Sequence, residues 1–136
     1  MQVVLASGNS DKCKEIQDFL VNASIKVVLQ KDLNVNSIPE TGLSFVENAL
    51  IKARHACLAT GLPSIADDSG LEVPALNGAP GIYSARYAGV DNDFQLNIDK
   101  LLLDLKKINA HQAKARFVCA LVFMRSFLDA TPEIKF

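Results

Sequence analysis

The 136-residue sequence predicts an α/β layered fold. Three observations carry that expectation. Short β-branched runs at residues 3–6 and 25–29 alternate with segments whose apolar residues recur at helical spacing. Glycine and proline punctuate the joins, at Gly8, Gly42, Gly61 and Pro63. A longer run at 113–127 alternates like a strand and is mostly apolar in both phases, so a strand covered on both faces is expected there.

The elements follow in order. After the strand at 3–6, Gly8 breaks the run and Ser10 is placed to cap a helix with Ile16, Phe19 and Leu20 on its apolar side. A second strand at 25–29 leads into the polar stretch "KDLNVNSIPETG", a loop broken by Pro39 and Gly42. Ser44 and Glu47 then form an S-x-x-E capping box. Val46, Ala49, Leu50, Ala53 and Cys57 continue at helical spacing until Gly61 and Pro63 stop the helix. A strand enters at 64–66, followed by the turn-rich "LEVPALNGAPG". Residues 93–105 predict a further helix whose apolar stripe is Phe94, Ile98, Leu101, Leu102 and Leu105. No repeat, low-complexity tract or linker interrupts the chain, so residues 1–136 are expected to form a single domain.

Composition narrows the function. The chain is 49% hydrophobic and 21% charged, ordinary for a folded domain. With 14 basic and 15 acidic residues the net charge is −1, and no overall field favours a nucleic acid or an anionic membrane. No apolar stretch approaches the roughly 20 residues that span a bilayer, and the start "MQVVLASG" lacks the features of a signal peptide. Cys13, Cys57 and Cys119 are odd in number and far apart, which suits free thiols better than a disulfide framework or a zinc site. A cytoplasmic protein is expected. His55 and His111 show no ligand spacing and are assigned no role.

Two stretches carry chemistry. "LASGNSDK" reads as strand, glycine turn and helix start, and a helix N-terminus offers free N–H groups and partial positive charge to phosphate oxygens. Gly8 lets the backbone come close, while Ser7, Asn9 and Ser10 add short donors. Lys12, a cation in the first helical turn, opposes the macrodipole unless an anion lies nearby. A capped helix with a solvated lysine is the plainer alternative. In "IADDSG", Asp67 and Asp68 leave a strand together, and a divalent cation would offset the cost of desolvating them. Because strand side chains alternate, one carboxylate is expected to face the site and the other to fix the loop, with Gly70 permitting a sharp turn and Ser69 offering a hydroxyl. Magnesium takes one or two protein carboxylates, and Glu40 is the candidate second ligand. An Asp pair that merely forms a turn is the alternative. Lys52 and Arg54 fit either a solvated helix face or a reach toward phosphate.

Taken in order, "LASGNSDKCKEI", "ETGLSFVENALIKARHA", "IADDSGLEVPALNGAPGIYSARYAG" and "ARFVCALVF" resemble the inosine triphosphate pyrophosphatase family, in particular its bacterial RdgB-like branch. The resemblance implies a mixed β-sheet flanked by helices, two lobes with a central cleft, and a homodimer. It implies Mg²⁺-dependent hydrolysis of ITP, dITP and XTP to monophosphate and pyrophosphate. By position, Ser7, Gly8, Asn9, Ser10, Asp11 and Lys12 would cradle the triphosphate, and Glu40 and Asp68 would bind the metal. Asp68 would also serve the attacking water as base, Ser69 would contact substrate, and Asp67 would support the turn. Lys52 and, more weakly, Arg86 would meet phosphate. The "FGYDP"-type and "SHR"-type motifs of the family, which contact the base, do not occur before the last residues "TPEIKF". The C-terminal part of the family fold is therefore expected to be lacking, with poor turnover by this chain and an open edge on the strand at 113–127. Two related readings are a Maf-like nucleotide pyrophosphatase, which shares the "LAS" start, and an inactive nucleotide-binding fragment. A dimeric aspartic protease built on "DSG" leaves the phosphate loop and Glu40 without a role.

Overall fold

The computed structural model describes residues 1–136. Five strands, β1 (Gln2–Leu5), β2 (Lys26–Leu29), β3 (Ser64–Glu72), β4 (Arg116–Met124) and β5 (Glu133–Lys135), form one sheet in the order β2-β1-β3-β4-β5. β1 runs parallel to both β2 and β3, whereas β4 and β5 are antiparallel, so the sheet is mixed. Three helices accompany it: α1 (Ser10–Leu20), α2 (Phe45–Thr60) and α3 (Phe94–Lys107). The expected α/β class, a mixed sheet flanked by helices, is the one observed. No helix is long and apolar enough to cross a membrane. The chain divides into two compact units, one made of Met1–Asp68 with Ala120–Phe136, the other of Ser69–Cys119.

In the first unit the two-residue period of the strands assigns each helix its face. Leu5, Val27, Leu29 and Ile65 meet Cys13, Ile16 and Leu20 of α1. Val4, Ala6, Ala66, Val122 and Met124 meet Ala49, Ala53, Ala56 and Cys57 of α2. α1 and α2 thus cover opposite faces, which is why β1 is a continuous apolar run. The small side chains along α2 let its backbone lie close to the sheet without leaving voids. Phe19, expected on the buried side of α1, is 84% exposed because the turns carrying Ile16 and Leu20 already fill the contact with β2.

The helix ends obey capping chemistry with two adjustments. The cap of α1 is Asn9, not Ser10: the Asn9 side chain accepts from the Lys12 N–H at 3.0 Å, and Ser10 is the first helical residue. At α2, Ser44 Oγ accepts from the Glu47 N–H at 3.1 Å, as the capping box requires. The Glu47 carboxylate returns to the N–H of Leu43 at 2.7 Å, one residue ahead of the cap. Gly61 closes α2 at φ +70°, a left-handed conformation that glycine adopts without penalty, and its N–H reaches the Cys57 carbonyl.

The second unit holds short 3₁₀ turns at Pro74–Leu76 and Gly81–Arg86, and α3. Asn97 is buried and ties α3 to the preceding turn, accepting from the Ala88 N–H at 2.8 Å and donating to the Ala85 carbonyl at 3.2 Å. Asp104 accepts from Tyr87 Oη at 2.5 Å and from Lys100 Nζ at 2.6 Å. Polar anchors therefore decide which side of α3 faces inward. Phe94, Ile98 and Leu102 of the expected apolar stripe are exposed, and Leu101 and Leu105 only half-buried.

The last long strand also departs from expectation. β4 covers Arg116–Met124, shorter than 113–127, and only one of its faces is covered. Ala120, Val122 and Met124 are buried in the α2 layer, while Phe117, Cys119 and Leu121 are exposed. Nor is β4 an open edge along its whole length, because β5 pairs with Leu121, Val122 and Phe123.

Replacing the cap should loosen α2 specifically. Ser44→Ala is expected to cost about 1 kcal/mol in urea unfolding followed by circular dichroism. A loss below about 0.3 kcal/mol would show that the cap bond is replaced by solvent.

Candidate active site

α1 links β1 to β2 across one face and α2 links β2 to β3 across the other, so the switch point falls between β1 and β3, at whose carboxyl ends open parallel sheets bind ligands. A concavity of about 160 Å³ lies there, lined by Ala6, Ser7, Gly8, Lys12, Gln30, Ser37, Ile38, Glu40, Lys52 and Asp67. Its floor is the exit of β1, and its wall includes the first turn of α1. Nothing lies within 4 Å of a side chain built on Gly8, so the glycine leaves the backbone open to an incoming group.

Alternation along β3 gives its two carboxylates different partners. Asp67 shares its side with Ile65, the α1 side, and its Oδ2 lies 2.7 Å from Lys12 Nζ. Asp68 shares its side with Ala66, the α2 side, and accepts from Asn48 Nδ2 at 3.1 Å. Lys52 Nζ stands 3.4 Å from a Glu40 oxygen and 3.8 Å from Asp68 Oδ1. Lys52 thus ties Glu40 and Asp68 to one ammonium group. The chain makes no turn at Gly70, contrary to expectation: β3 continues to Glu72, because pairing within the sheet outweighs the low strand preference of Asp-Asp-Ser-Gly. Asp67 therefore holds the Lys12 ammonium rather than a turn.

The electrostatics are unbalanced. Two ammonium groups, Lys12 and Lys52, serve three carboxylates, Asp67, Asp68 and Glu40. Burial pushes the Asp68 carboxyl up to about 6, Lys52 opposes the shift, the negative charge of Glu40 adds to it, and the bond from Asn48 pulls it down. Two facing acids with one cation between them are hard oxygen donors short of positive charge, a donor set that fits Mg²⁺.

Of the residues singled out in the sequence, Ser7, Gly8, Lys12, Lys52 and Glu40 come together around the concavity. Asp68 joins them through Lys52. Asn9 uses its side chain as the α1 cap, and Ser10 and Asp11 are exposed and do not line the concavity. Ser69 and Arg86 belong to the second unit and do not line the concavity. Sequence reasoning missed Gln30, which is buried at the end of β2, and Asn48. Asn48 carried a signal: an amide spaced with Phe45, Ala49 and Ala53 on the buried side of a helix needs a polar partner in the core.

A helix N-terminus, two lysines and three carboxylates thus gather at the switch point of an α/β sheet. The Ham1 family model matches residues 3–136, and the chain belongs to that family. It is 56% identical over 133 residues to the dITP/XTP pyrophosphatase of Photobacterium profundum, a match covering 98% of this chain and 68% of the relative. The dITP/XTP pyrophosphatase of Escherichia coli K12 is 53% identical with the same coverage. A HAM1 protein from Coxiella burnetii superposes with a TM-score of 0.93 at 46% identity, over 98% of this chain and 68% of that one.

The Asp68 carboxyl also governs stability. Folded, it holds a proton up to about pH 6, whereas an unfolded Asp releases it near 3.8, so its contribution is present below pH 4 and lost as pH rises through 6. In metal-free buffer at pH 7.5, Asp68→Asn is expected to raise the melting temperature by roughly 3–6 °C, about 1 kcal/mol. The gain should vanish at pH 4. An equal gain at both values would place the effect elsewhere.

Proposed function

We propose that this chain hydrolyses purine nucleoside triphosphates of the dITP and XTP type to the monophosphate and pyrophosphate, with Mg²⁺ as cofactor. The observation that carries the reading is the Glu40–Lys52–Asp68 group beside the α1 N-terminus. Membership of the Ham1 family and the names of relatives above 50% identity support the same substrate class.

Glu40 and Asp68 would hold the metal, which when bound supplies charge neutralisation and polarises phosphate oxygens. The chain's own groups do the following. The Gly8 backbone N–H and the free N–H groups of the first α1 turn donate to phosphate oxygens. Lys12, kept in place by Asp67, adds positive charge at the same end of the concavity. Lys52 leaves its position between the two acids to meet the incoming polyanion or remains as their counterion. A water oxygen adds to the α-phosphorus as the bond to the α–β bridging oxygen breaks, pyrophosphate departs, and the Asp68 carboxylate takes the water's proton.

The test follows pyrophosphate and orthophosphate released from dITP, XTP, ATP and GTP, with and without Mg²⁺. Pyrophosphate is expected as the product, preferentially from dITP and XTP and only with Mg²⁺. Asp68→Asn should lower that release about 10²–10⁴-fold. Stepwise orthophosphate release, or Asp68→Asn turnover equal to wild type, would contradict the proposal.

A further inference from the structure

We infer that Asn48 is the positioning residue that sets the spacing of Glu40 and Asp68, with Gly42 as its required partner. Asn48 is fully buried on α2, and both ends of its amide are used. Nδ2 donates to Asp68 Oδ2 at 3.1 Å, and Oδ1 accepts from the Gly42 N–H at 2.8 Å. One amide therefore ties β3 and the loop bearing Glu40 to a single point on a rigid helix. The Asn48 backbone is itself fixed in the first helical turn, its N–H reaching the Ser44 carbonyl at 3.1 Å.

The chemistry of the amide makes the arrangement directional. Only the NH₂ end can face a carboxylate and only the oxygen can face an N–H, so the two partners select one orientation. Neither Asp nor Leu, each close to Asn in size, reproduces both bonds. Gly42 is needed for a separate reason. A Cβ there would lie 2.7 Å from Asn48 Oδ1, 2.7 Å from Glu47 Cβ and 3.0 Å from Asn48 N. The loop reaches the amide only because residue 42 has no side chain. Glu40 lies two positions away, so anything that displaces Gly42 moves the Glu40 carboxylate away from Asp68 and Lys52.

Neither residue lines the concavity, and Asn48 acts through Asp68 and through the loop. The inference rests on the metal reading above and extends it. Groups that orient metal-binding carboxylates typically change metal affinity 10–100-fold when removed.

The experiment uses the purified chain and two readouts that do not depend on turnover. Amide hydrogen exchange reports the Gly42 N–H, and calorimetric titration reports Mg²⁺ affinity, for wild type, Asn48→Ala and Gly42→Ala. Wild type should protect the Gly42 amide, and Asn48→Ala should lose that protection. Both variants should bind Mg²⁺ about 10–100-fold more weakly than wild type. Circular dichroism checks the fold, and if Asn48→Ala fails to fold, Gly42→Ala carries the test alone because it leaves the sequence of α2 and the Asn48 amide unchanged. Variants that bind Mg²⁺ as wild type does would overturn this inference and leave the metal reading standing. A wild-type chain that binds no Mg²⁺ would overturn both, even if its Gly42 amide is protected.

Discussion

Glu40 and Asp68 converge on a single ammonium, that of Lys52. Left to electrostatics these groups would separate or share a proton. They are held because each belongs to an element fixed by something else. β3 is locked by its pairing in the sheet, α2 by its alanine-lined contact with Val4, Ala6 and Ala66, and the Glu40 loop by its bond from Gly42 to Asn48. The stability of the core offsets the strain of the charged pair. A site that is unfavourable by itself is also one that a divalent cation stabilises most.

The sheet topology supplies the second half of the arrangement. Since α1 and α2 cover opposite faces, their ends flank the same diverging pair of strands from two sides. Successive residues of β3 are then sufficient to address both helices. Asp67 meets Lys12 of α1, and Asp68 meets Asn48 and Lys52 of α2. Two adjacent carboxylates in one strand are thereby given separate partners, one holding the Lys12 ammonium and the other sharing the Lys52 ammonium with Glu40.

Much of this was legible in the sequence, and the misses have physical causes. The capping box announced α2 because it satisfies backbone N–H groups locally, whatever the tertiary context. Lys12 stood out because a cation in a first helical turn calls for an anion, and Asp67 is there. The sequence points to Ser10 as the α1 cap, but Asn9, one position earlier, is an equally good cap residue and takes that place. The course of β3 past Gly70 could not be read locally, since Asp-Asp-Ser-Gly has poor strand preference and only its neighbours in the sheet hold it extended. Phe94, Ile98 and Leu102 had helical spacing, yet Asn97 and Asp104 turn α3 by their hydrogen bonds. Hydrophobic period identifies an element but not always the face it buries.

On the proposed reading, Asp68 and Glu40 form an under-compensated pair that a divalent cation would relieve. Carbon-13 NMR titration of the Asp68 carboxyl, without and with Mg²⁺, tests it most directly. Without the ion its midpoint should fall at about 6, and with Mg²⁺ it should move to markedly lower pH. An ordinary midpoint near 4 without the ion, or one that ignores Mg²⁺, would contradict the account.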